Sequence, residues 1–298
     1  MVETGFNLSD RKGTTFHTVE WSPDGEPKGL IVLIHGLSDH GGRYRHVGSF
    51  FAAAGYALIL FDLRGHGLSS GKRGHFPSFD VIMDDISLFL DEARIRYPAI
   101  PVVLYGHSMG GNLVLNYLIR KKPPIAGAVV TSPWLRLTFK PPLFKIILAR
   151  LVNRIVPSIT QSDGLIPSYL SRDEKVAKDY IADPLVHSRI SVSTFLEISH
   201  AGEEALKHAD KIACPLLLMH GTEDSLTSFA ASKEFSEKVV SNHTFKAWEG
   251  YFHELHNEFE KEAVLDCIRE WLDTALGRGI FSTHPEAEDN RKTAIIVT

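Results

Sequence analysis

Short apolar segments alternate with helix-like segments along most of this chain, and this alternation restricts the fold more than any other feature. Six apolar segments stand out, at residues 29–36, 56–62, 101–106, 125–131, 215–221 and 243–248. The first five are nearly continuous, as expected for strands that helices cover on both faces. Helical patterns lie between them, for example at residues 80–97, 112–122 and 258–276. The alternation predicts an α/β fold with a mostly parallel, doubly wound central sheet flanked by helices.

The alternation is interrupted once, between residues 135 and 209, where helical patterns are broken by Pro and Ser and no clear strand is present. A helical cap inserted after the strand ending near residue 131 is the simplest interpretation. We therefore predict a core formed by residues 1–134 and 210–276, with a cap or lid formed by residues 135–209. Residues 277–298 mix Gly, Pro, Ser and charged residues, which predicts a flexible C-terminal tail.

Composition excludes several classes of protein. The chain is 44% hydrophobic and 23% charged, which is typical of a globular domain. A formal net charge of −4 provides no basic field for nucleic acid, so we predict no nucleic-acid partner. No segment approaches the length of a membrane-spanning helix, and residues 1–10 lack the apolar core of a signal peptide. With only two cysteines, Cys214 and Cys267, a disulfide framework is excluded, and the sequence predicts a cytoplasmic protein.

A candidate nucleophile lies in the segment Gly106-His107-Ser108-Met109-Gly110, which fits the pattern G-x-S-x-G. An apolar segment precedes it and a helical segment follows, which is the context in which this pattern exposes a reactive serine. A second match places Ser69 at the centre of residues 67–71, but the residues after it cannot start a good helix. We therefore predict Ser108 as the nucleophile and Ser69 as a loop residue.

A nucleophilic serine needs a base and an acid that orients the base. Where G-x-S-x-G forms a sharp turn from a strand into a helix, the chain order is Ser, then Asp or Glu, then His. Asp224 directly follows a predicted strand and is the candidate acid, with its neighbour Glu223 as the alternative. His253 follows the last predicted strand and is the candidate base, with His256 as the alternative. A metal site at these two histidines is disfavoured because they lack the H-E-x-x-H spacing.

Two backbone N–H groups are candidates for stabilising an oxyanion. The N–H of Met109 follows the nucleophile at the start of the predicted helix. The N–H of Leu37 follows His35 and Gly36 at the end of the first apolar segment, where a glycine lets the backbone approach a substrate.

With these residues in place, the sequence resembles the monoacylglycerol lipase family of α/β-hydrolases, which is closely related to lysophospholipases. The resemblance extends from about residue 14 to residue 276 and implies the α/β-hydrolase fold with its cap. Its most specific part is the histidine-rich early loop, residues 35–44, combined with the late segment F-H-x-x-H-N-E, residues 252–258. The matching segments are residues 35–44, 62–71, 106–111, 183–185, 221–224 and 253–258.

The resemblance implies roles for individual residues. It makes Ser108 the nucleophile, Asp224 the orienting acid and His253 the base, with the N–H groups of Leu37 and Met109 as oxyanion donors. His256 is then expected to support the site from behind the base, with Asp39 and Arg43 of the early loop as its partners.

Two positions depart from the family pattern. Asp39 stands where a Glu is common, so its side chain has a shorter reach. Thr227 falls near a position where animal relatives carry a cysteine, which argues against inhibition by thiol reagents there.

The resemblance also implies the reaction: hydrolysis of a lipid ester, with a monoacylglycerol as the favoured substrate, through an acyl-enzyme and without metal or other cofactor. On the same residues a general carboxylesterase, a lysophospholipase and a thioesterase remain alternatives. A non-catalytic binding protein with this fold is a more distant one.

The predicted cap contains one strongly apolar helix. Within residues 143–156 the polar positions are 145, 150, 153 and 154 only, so the apolar arc is wider than core packing needs. Two interpretations remain open: a lid helix packed over the site, and an interfacial helix that makes peripheral contact with a membrane.

Overall fold

The computed structural model describes residues 1–139 and 142–277. The predicted C-terminal tail lies outside the described residues except for Gly277. The described residues contain an eight-stranded sheet and a separate two-stranded sheet. The strands of the large sheet are β1 (Val2–Ser9), β2 (Thr15–Ser22), β3 (Leu30–Ile34), β4 (Ala57–Phe61), β5 (Val102–His107), β6 (Gly127–Thr131), β9 (Leu216–Gly221) and β10 (His243–Trp248), and those of the small sheet are β7 (Thr160–Ser162) and β8 (Arg189–Ser191).

The large sheet has the order β1-β2-β4-β3-β5-β6-β9-β10. All neighbours from β4 to β10 pair in parallel, which confirms the predicted mostly parallel sheet. The first two strands are antiparallel and were not predicted. Their residues alternate between buried and accessible, or stay exposed at the sheet edge, so they do not form the continuous apolar segments that mark the other strands.

Helices cover both faces of the large sheet, as predicted. Alternate residues of β3 point to opposite faces: Leu30, Val32 and Ile34 join one hydrophobic cluster, and Ile31 and Leu33 join the other. This two-sided burial explains why the strand is apolar at every position. The helices are α1 (Arg45–Ala53), α2 (Phe79–Arg96), α3 (Met109–Lys121), α4 (Leu143–Ile155), α5 (Glu174–Ala182), α6 (Val192–Lys207), α7 (Phe229–Lys238) and α8 (Lys261–Gly277).

The chain between β6 and β9 contains α4, α5 and α6. It also contains β7 and β8, which pair antiparallel, so the expectation of a segment without strands is wrong in this detail. Each of these strands has three residues and β7 is largely exposed, too short and too polar for a readable pattern. Helix α6 packs against α3, and its residues Ile198 and Ala201 belong to a core cluster.

Helix α4 turns an apolar face to the solvent. Phe144, Ile147, Leu148, Leu151 and Ile155 are each more than half exposed. Steps of three or four residues, with Ile147 and Leu148 side by side, place them on one side of the helix. None of the helices that the structure describes is long and apolar enough to cross a membrane.

Candidate active site

Ser108 lies at a sharp turn between β5 and α3. Its φ of +55° falls in the left-handed region, which is unfavourable for a residue with a side chain and is found at strained functional sites. The neighbouring glycines are required by close backbone contacts. A Cβ atom on Gly106 would lie 2.5 Å from the carbonyl oxygen of Gly110, and one on Gly110 would lie 2.0 Å from that of Ile34. The turn is therefore sterically restricted to this sequence pattern.

Ser69 has a different environment. Its hydroxyl donates to the carbonyl oxygen of Asp62 at 2.6 Å and accepts from the backbone N–H of His17 at 2.8 Å. The side chain is buried, and the next helix begins only at Phe79. These contacts show Ser69 joining the loop after β4 to β2, as expected for a structural serine.

The structure brings Ser108, His253 and Asp224 together from three separate loops. The Nε2 atom of His253 lies 2.9 Å from Ser108 Oγ, and its Nδ1 atom lies 2.7 Å from Asp224 Oδ2. Ser132 donates a hydrogen bond of 2.7 Å to the carbonyl oxygen of His253 and thereby holds the loop that carries it. Glu223 is exposed beside Asp224. The geometry therefore favours Asp224 over Glu223 as the partner of His253.

Asp224 is buried and accepts hydrogen bonds at both carboxylate oxygens. Its Oδ1 accepts from the backbone N–H groups of Leu226 and Thr227, at 2.7 and 3.0 Å. Its Oδ2 faces His253, the Nε2 atom of His220 at 3.1 Å and the hydroxyl of Thr227 at 2.9 Å. Burial alone would raise the pKa of this carboxyl, but His253 and the other donors outweigh burial and hold its pKa well below the usual range. Asp224 is therefore ionised at any physiological pH.

The carboxylate in turn acts on His253. Burial disfavours the imidazolium form, but the neighbouring Asp224 charge outweighs this effect and raises the pKa of His253 above 6.5. A base must be neutral to accept the proton of Ser108, so lowering the pH through this raised pKa removes the active form.

We therefore expect the kcat/KM of a soluble ester to fall on the acid side with an apparent pKa above that of a free histidine. A pH–rate profile measures it. A profile that stays flat down to pH 5 would contradict the assignment of His253 as the base.

His256 lies apart from the reacting atoms. It is fully buried, and neither ring nitrogen has a hydrogen-bond partner among the described residues. The ring stacks on Tyr44 with centroids 4.8 Å apart and meets His107 edge-on at 4.9 Å. Burial lowers the pKa of His256 to about 4, so the ring is neutral at pH 7.

The expected contact of His256 with Asp39 and Arg43 is not formed, so that part of the sequence-based prediction is wrong. Arg43 instead makes two hydrogen bonds to Glu254, at 2.9 and 2.7 Å, and one to Asp39 at 2.9 Å. A guanidinium pairs better with two carboxylates than with a neutral imidazole. Glu254 follows His253 directly, so this ion-pair network links the early loop to the loop of the candidate base.

The loop after β3 lies against Ser108. A Cβ atom on Gly36 would lie 3.2 Å from Ser108 Cβ, a tight contact that a glycine avoids. His35 fixes the loop: its Nδ1 donates to the carbonyl oxygen of Gly36 at 2.7 Å, and its Nε2 accepts from the N–H of Leu63 at 2.9 Å. Leu37 lines the same pocket as Ser108.

The pocket around Ser108 combines an apolar lining with one polar cluster. In the polar cluster, the Arg43 guanidinium lies 4.9 Å from the ring centre of Tyr180. The Tyr180 hydroxyl is buried without a hydrogen-bond partner among the described residues. The apolar residues of the lining are Leu37, Trp134, Leu137, Phe139, Leu165, Leu170, Phe195 and Leu226, and the polar cluster consists of Asp39, Arg43, Asp163, Tyr180 and Glu254.

The sequence pattern does not reveal two residues of this region. His220 is the penultimate residue of β9 and fits the apolar strand pattern, although it stands four residues before Asp224. Glu254 was present in the late motif without a role. In residues 1–139 and 142–277, no group of three or more His, Cys, Asp or Glu side chains could hold a metal ion.

The mostly parallel sheet and the strand–serine–helix turn define the α/β-hydrolase class. A family model described as "Serine aminopeptidase, S33" matches residues 25–260. The chain belongs to this family and, within it, to the monoacylglycerol lipase-like α/β-hydrolases, which confirms the resemblance seen in the sequence. It is an enzyme of the carboxylic ester hydrolase type.

Three relatives illustrate the relationship. The chain is 32% identical to a monoacylglycerol lipase of Mycolicibacterium smegmatis, over 85% of this chain and 90% of that protein. It is 39% identical to an abhydrolase domain-containing protein of Dictyostelium discoideum but spans only 29% of that protein's length. The crystal structure of a monoacylglycerol lipase from Paleococcus ferrophilus superimposes with a TM-score of 0.80 at 35% identity, covering 87% of this chain and 99% of that one.

Proposed function

We propose that this protein hydrolyses monoacylglycerols to fatty acid and glycerol through an acyl-enzyme. In this proposal Ser108 is the nucleophile, His253 the base and Asp224 the acid that orients it. The observation that carries the proposal is the continuous series of hydrogen bonds from Ser108 Oγ through His253 to Asp224 Oδ2, at 2.9 and 2.7 Å, inside a mainly apolar pocket.

The geometry supports a two-step reaction. His253 Nε2 accepts the Ser108 proton as the hydroxyl attacks the ester carbonyl, and Asp224 holds Nδ1–H so that Nε2 is the free nitrogen. The N–H groups of Leu37 and Met109 stabilise the oxyanion, at about 3–4 kcal/mol for a donor of this kind. His253 then protonates the departing glycerol oxygen, and it activates a water molecule that releases the fatty acid.

The pocket lining supports a monoacylglycerol over a fully apolar ester. The apolar residues, with Trp134 and Phe195 rings 5.9 Å apart, suit an acyl chain. The polar cluster supplies the Tyr180 hydroxyl and charged side chains that can bind glycerol hydroxyl groups. A monoacylglycerol has both parts on either side of one ester bond.

A substrate panel tests the proposal. Monoacylglycerols of graded chain length would be compared with a lysophospholipid, a triacylglycerol, an acyl-CoA and an aminoacyl anilide. The expected result is the highest kcat/KM for a monoacylglycerol, lost in Ser108→Ala. A preference for the lysophospholipid or the acyl-CoA would replace the proposed substrate while leaving the serine mechanism in place.

We further propose that residues 135–209 act as a cap over this pocket and that helix α4 contacts the lipid surface that holds the substrate. Phe139 both lines the pocket and is 53% exposed, so it lies at the pocket mouth, shortly before α4. The exposed apolar face of α4 is flanked by Lys145, Arg150 and Arg154, whose charges suit lipid head groups. A substrate could then enter the pocket without crossing water.

Replacing Phe144 and Leu148 together with serine tests the membrane contact. Because both side chains are more than half exposed, the change removes interfacial apolar area without disturbing the core. Sedimentation with vesicles of a neutral and an anionic phospholipid should show reduced binding, while hydrolysis of a short soluble ester persists.

The matched control replaces two exposed apolar residues outside the cap, Ile95 and Val240, which are 75% and 78% exposed. The control should bind vesicles as the wild type does. If the wild type, the α4 variant and the control bind vesicles equally, or if the wild type does not bind them, α4 does not contact the membrane and acts only as a lid.

A further inference from the structure

Asp224 lies between two histidines rather than beside one. Its Oδ2 atom is 2.7 Å from His253 Nδ1 on one side and 3.1 Å from His220 Nε2 on the other. The mechanism above gives His220 no role. Its side chain is nevertheless fully buried near the end of β9, and both of its ring nitrogens are within hydrogen-bonding distance of a partner.

The outer nitrogen of each histidine faces a serine. Ser108 Oγ lies 2.9 Å from His253 Nε2, and Ser232 Oγ of helix α7 lies 2.7 Å from His220 Nδ1. The hydrogen-bonded series is therefore symmetric in residue type: Ser232, His220, Asp224, His253, Ser108. Ser232 is fully buried and cannot meet a substrate.

The donors and acceptors of this series follow from the ionised carboxylate. A carboxylate only accepts hydrogen bonds, so His220 Nε2 carries a proton and donates a hydrogen bond to Asp224 Oδ2. In the neutral ring, Nδ1 is then an acceptor, and the Ser232 hydroxyl donates to it. The other groups near His220 Nε2, the Thr227 carbonyl and hydroxyl oxygens, are farther away at 3.3 and 3.4 Å.

We propose that His220 is a positioning residue for the reaction: held in one tautomer by Ser232, it fixes the Asp224 carboxylate and limits how strongly that carboxylate holds the His253 imidazolium. This inference rests on the proposed role of Ser108, His253 and Asp224. It goes beyond that role by extending the machinery to a second histidine and to a serine on α7.

The direction of the effect follows from competition for Oδ2. His220, His253 and Thr227 all face this one oxygen, and each donor takes part of its negative charge. Without His220, the carboxylate is a stronger acceptor for His253 and stabilises the imidazolium more, which raises the pKa of His253. The neutral, active form of His253 is then lost at a higher pH. In addition, a less restrained carboxylate orients the His253 ring less well.

The other charged and titratable groups around His253 are unchanged by a substitution at His220. They are His107 before the nucleophile, with ring centroids 4.9 Å apart, Glu254 of the same loop and Asp39 of the early loop. The aromatic neighbour of His220 is Phe229, whose ring meets the imidazole edge-on with centroids 5.9 Å apart. A shift of the acid side of the pH profile therefore reports on Asp224 and its donors.

The experiment compares His220→Leu, which removes the donor, with His220→Gln, whose side-chain amide can still donate to Oδ2. Ser232→Ala removes the tautomer lock. Its matched control is Ser236→Ala, a mostly buried serine one turn further along the same helix. Hydrolysis of p-nitrophenyl butyrate is measured against pH and normalised to the sites that a fluorophosphonate labels. The labelling rate is a second readout that needs no lipid substrate.

For His220→Leu we expect kcat to fall by roughly tenfold or more with little change in KM. The apparent pKa on the acid side of the pH–rate profile should rise by about 0.5. His220→Gln should recover most of the loss, Ser232→Ala should show a smaller change in the same direction, and Ser236→Ala should match the wild type.

Three results would overturn the inference. The first is a wild-type rate and profile in His220→Leu, and the second is a Gln variant no better than Leu. The third is a lower kcat with an unchanged acid-side pKa, because a merely structural role produces that pattern. Failure of the proposed function is distinguishable, since it shows as hydrolysis and labelling that survive in Ser108→Ala.

Discussion

Ser108→Ala is expected to abolish ester hydrolysis while the protein stays folded. The substitution removes only the Oγ atom, which lies 2.9 Å from His253 Nε2, and the backbone turn between β5 and α3 is unaffected. Without a nucleophile no acyl-enzyme forms, and we expect a loss of roughly 10⁴-fold or more in kcat. Hydrolysis of a soluble ester, fluorophosphonate labelling and the thermal midpoint together measure the effect.

Ser69→Ala is the matched control because Ser69 sits in the same five-residue pattern. Its hydroxyl joins Asp62 and the backbone of His17, so removing it leaves buried polar groups unpaired and costs about 1–3 kcal/mol of stability. Activity per folded molecule should persist. An inactive Ser69→Ala beside an active Ser108→Ala would reverse the assignment of the nucleophile.

His253→Ala is expected to lower the rate by a factor of thousands, as for loss of any member of a group that acts as a unit. Among the residues that the structure describes, His253 alone contacts both Ser108 and Asp224, so it is the group placed to take the proton. His256→Ala should lower the rate only several-fold, because His256 stacks on Tyr44 and His107 and has no contact with the reacting atoms.

Single-turnover rates of both variants, with circular dichroism spectra to monitor folding, measure this difference. His256→Phe is a useful companion because it preserves the stacked ring while removing both nitrogens; it should retain more activity than His256→Ala. Equal losses in His253→Ala and His256→Ala, with folding intact, would leave neither histidine identified as the base.

The nucleophile pattern shows why part of the site could be predicted. Ser108 is flanked by glycines that the turn requires sterically, so the local sequence carries the geometry of the turn. Asp224 and His253 follow strands of a parallel sheet, and the carboxyl ends of such strands meet at one edge. The structure brings these three residues together at hydrogen-bonding distance; their catalytic roles stay predictions until tested.

Other contacts could not be predicted in this way. Arg43 pairs with Glu254, which is 211 residues away in the chain, and not with His256. His220 looks like an ordinary strand residue in the sequence, and only the packing of α7 against β9 places Ser232 at its outer nitrogen. The antiparallel strands β1 and β2 were missed because their burial on one face or at an edge leaves no continuous apolar segment.

Features that depend on local pattern are readable in the amino-acid sequence: the mostly parallel α/β sheet, the strand–serine–helix turn and the apolar character of α4. Which polar groups meet and which apolar face stays exposed depend on how distant segments pack together. Side-chain pairing depends on distances between residues far apart in the chain, and several partners of similar charge compete for each group. For α4, the helical period defines one apolar face, but only the packing of the chain places Phe144, Leu148 and Leu151 toward solvent.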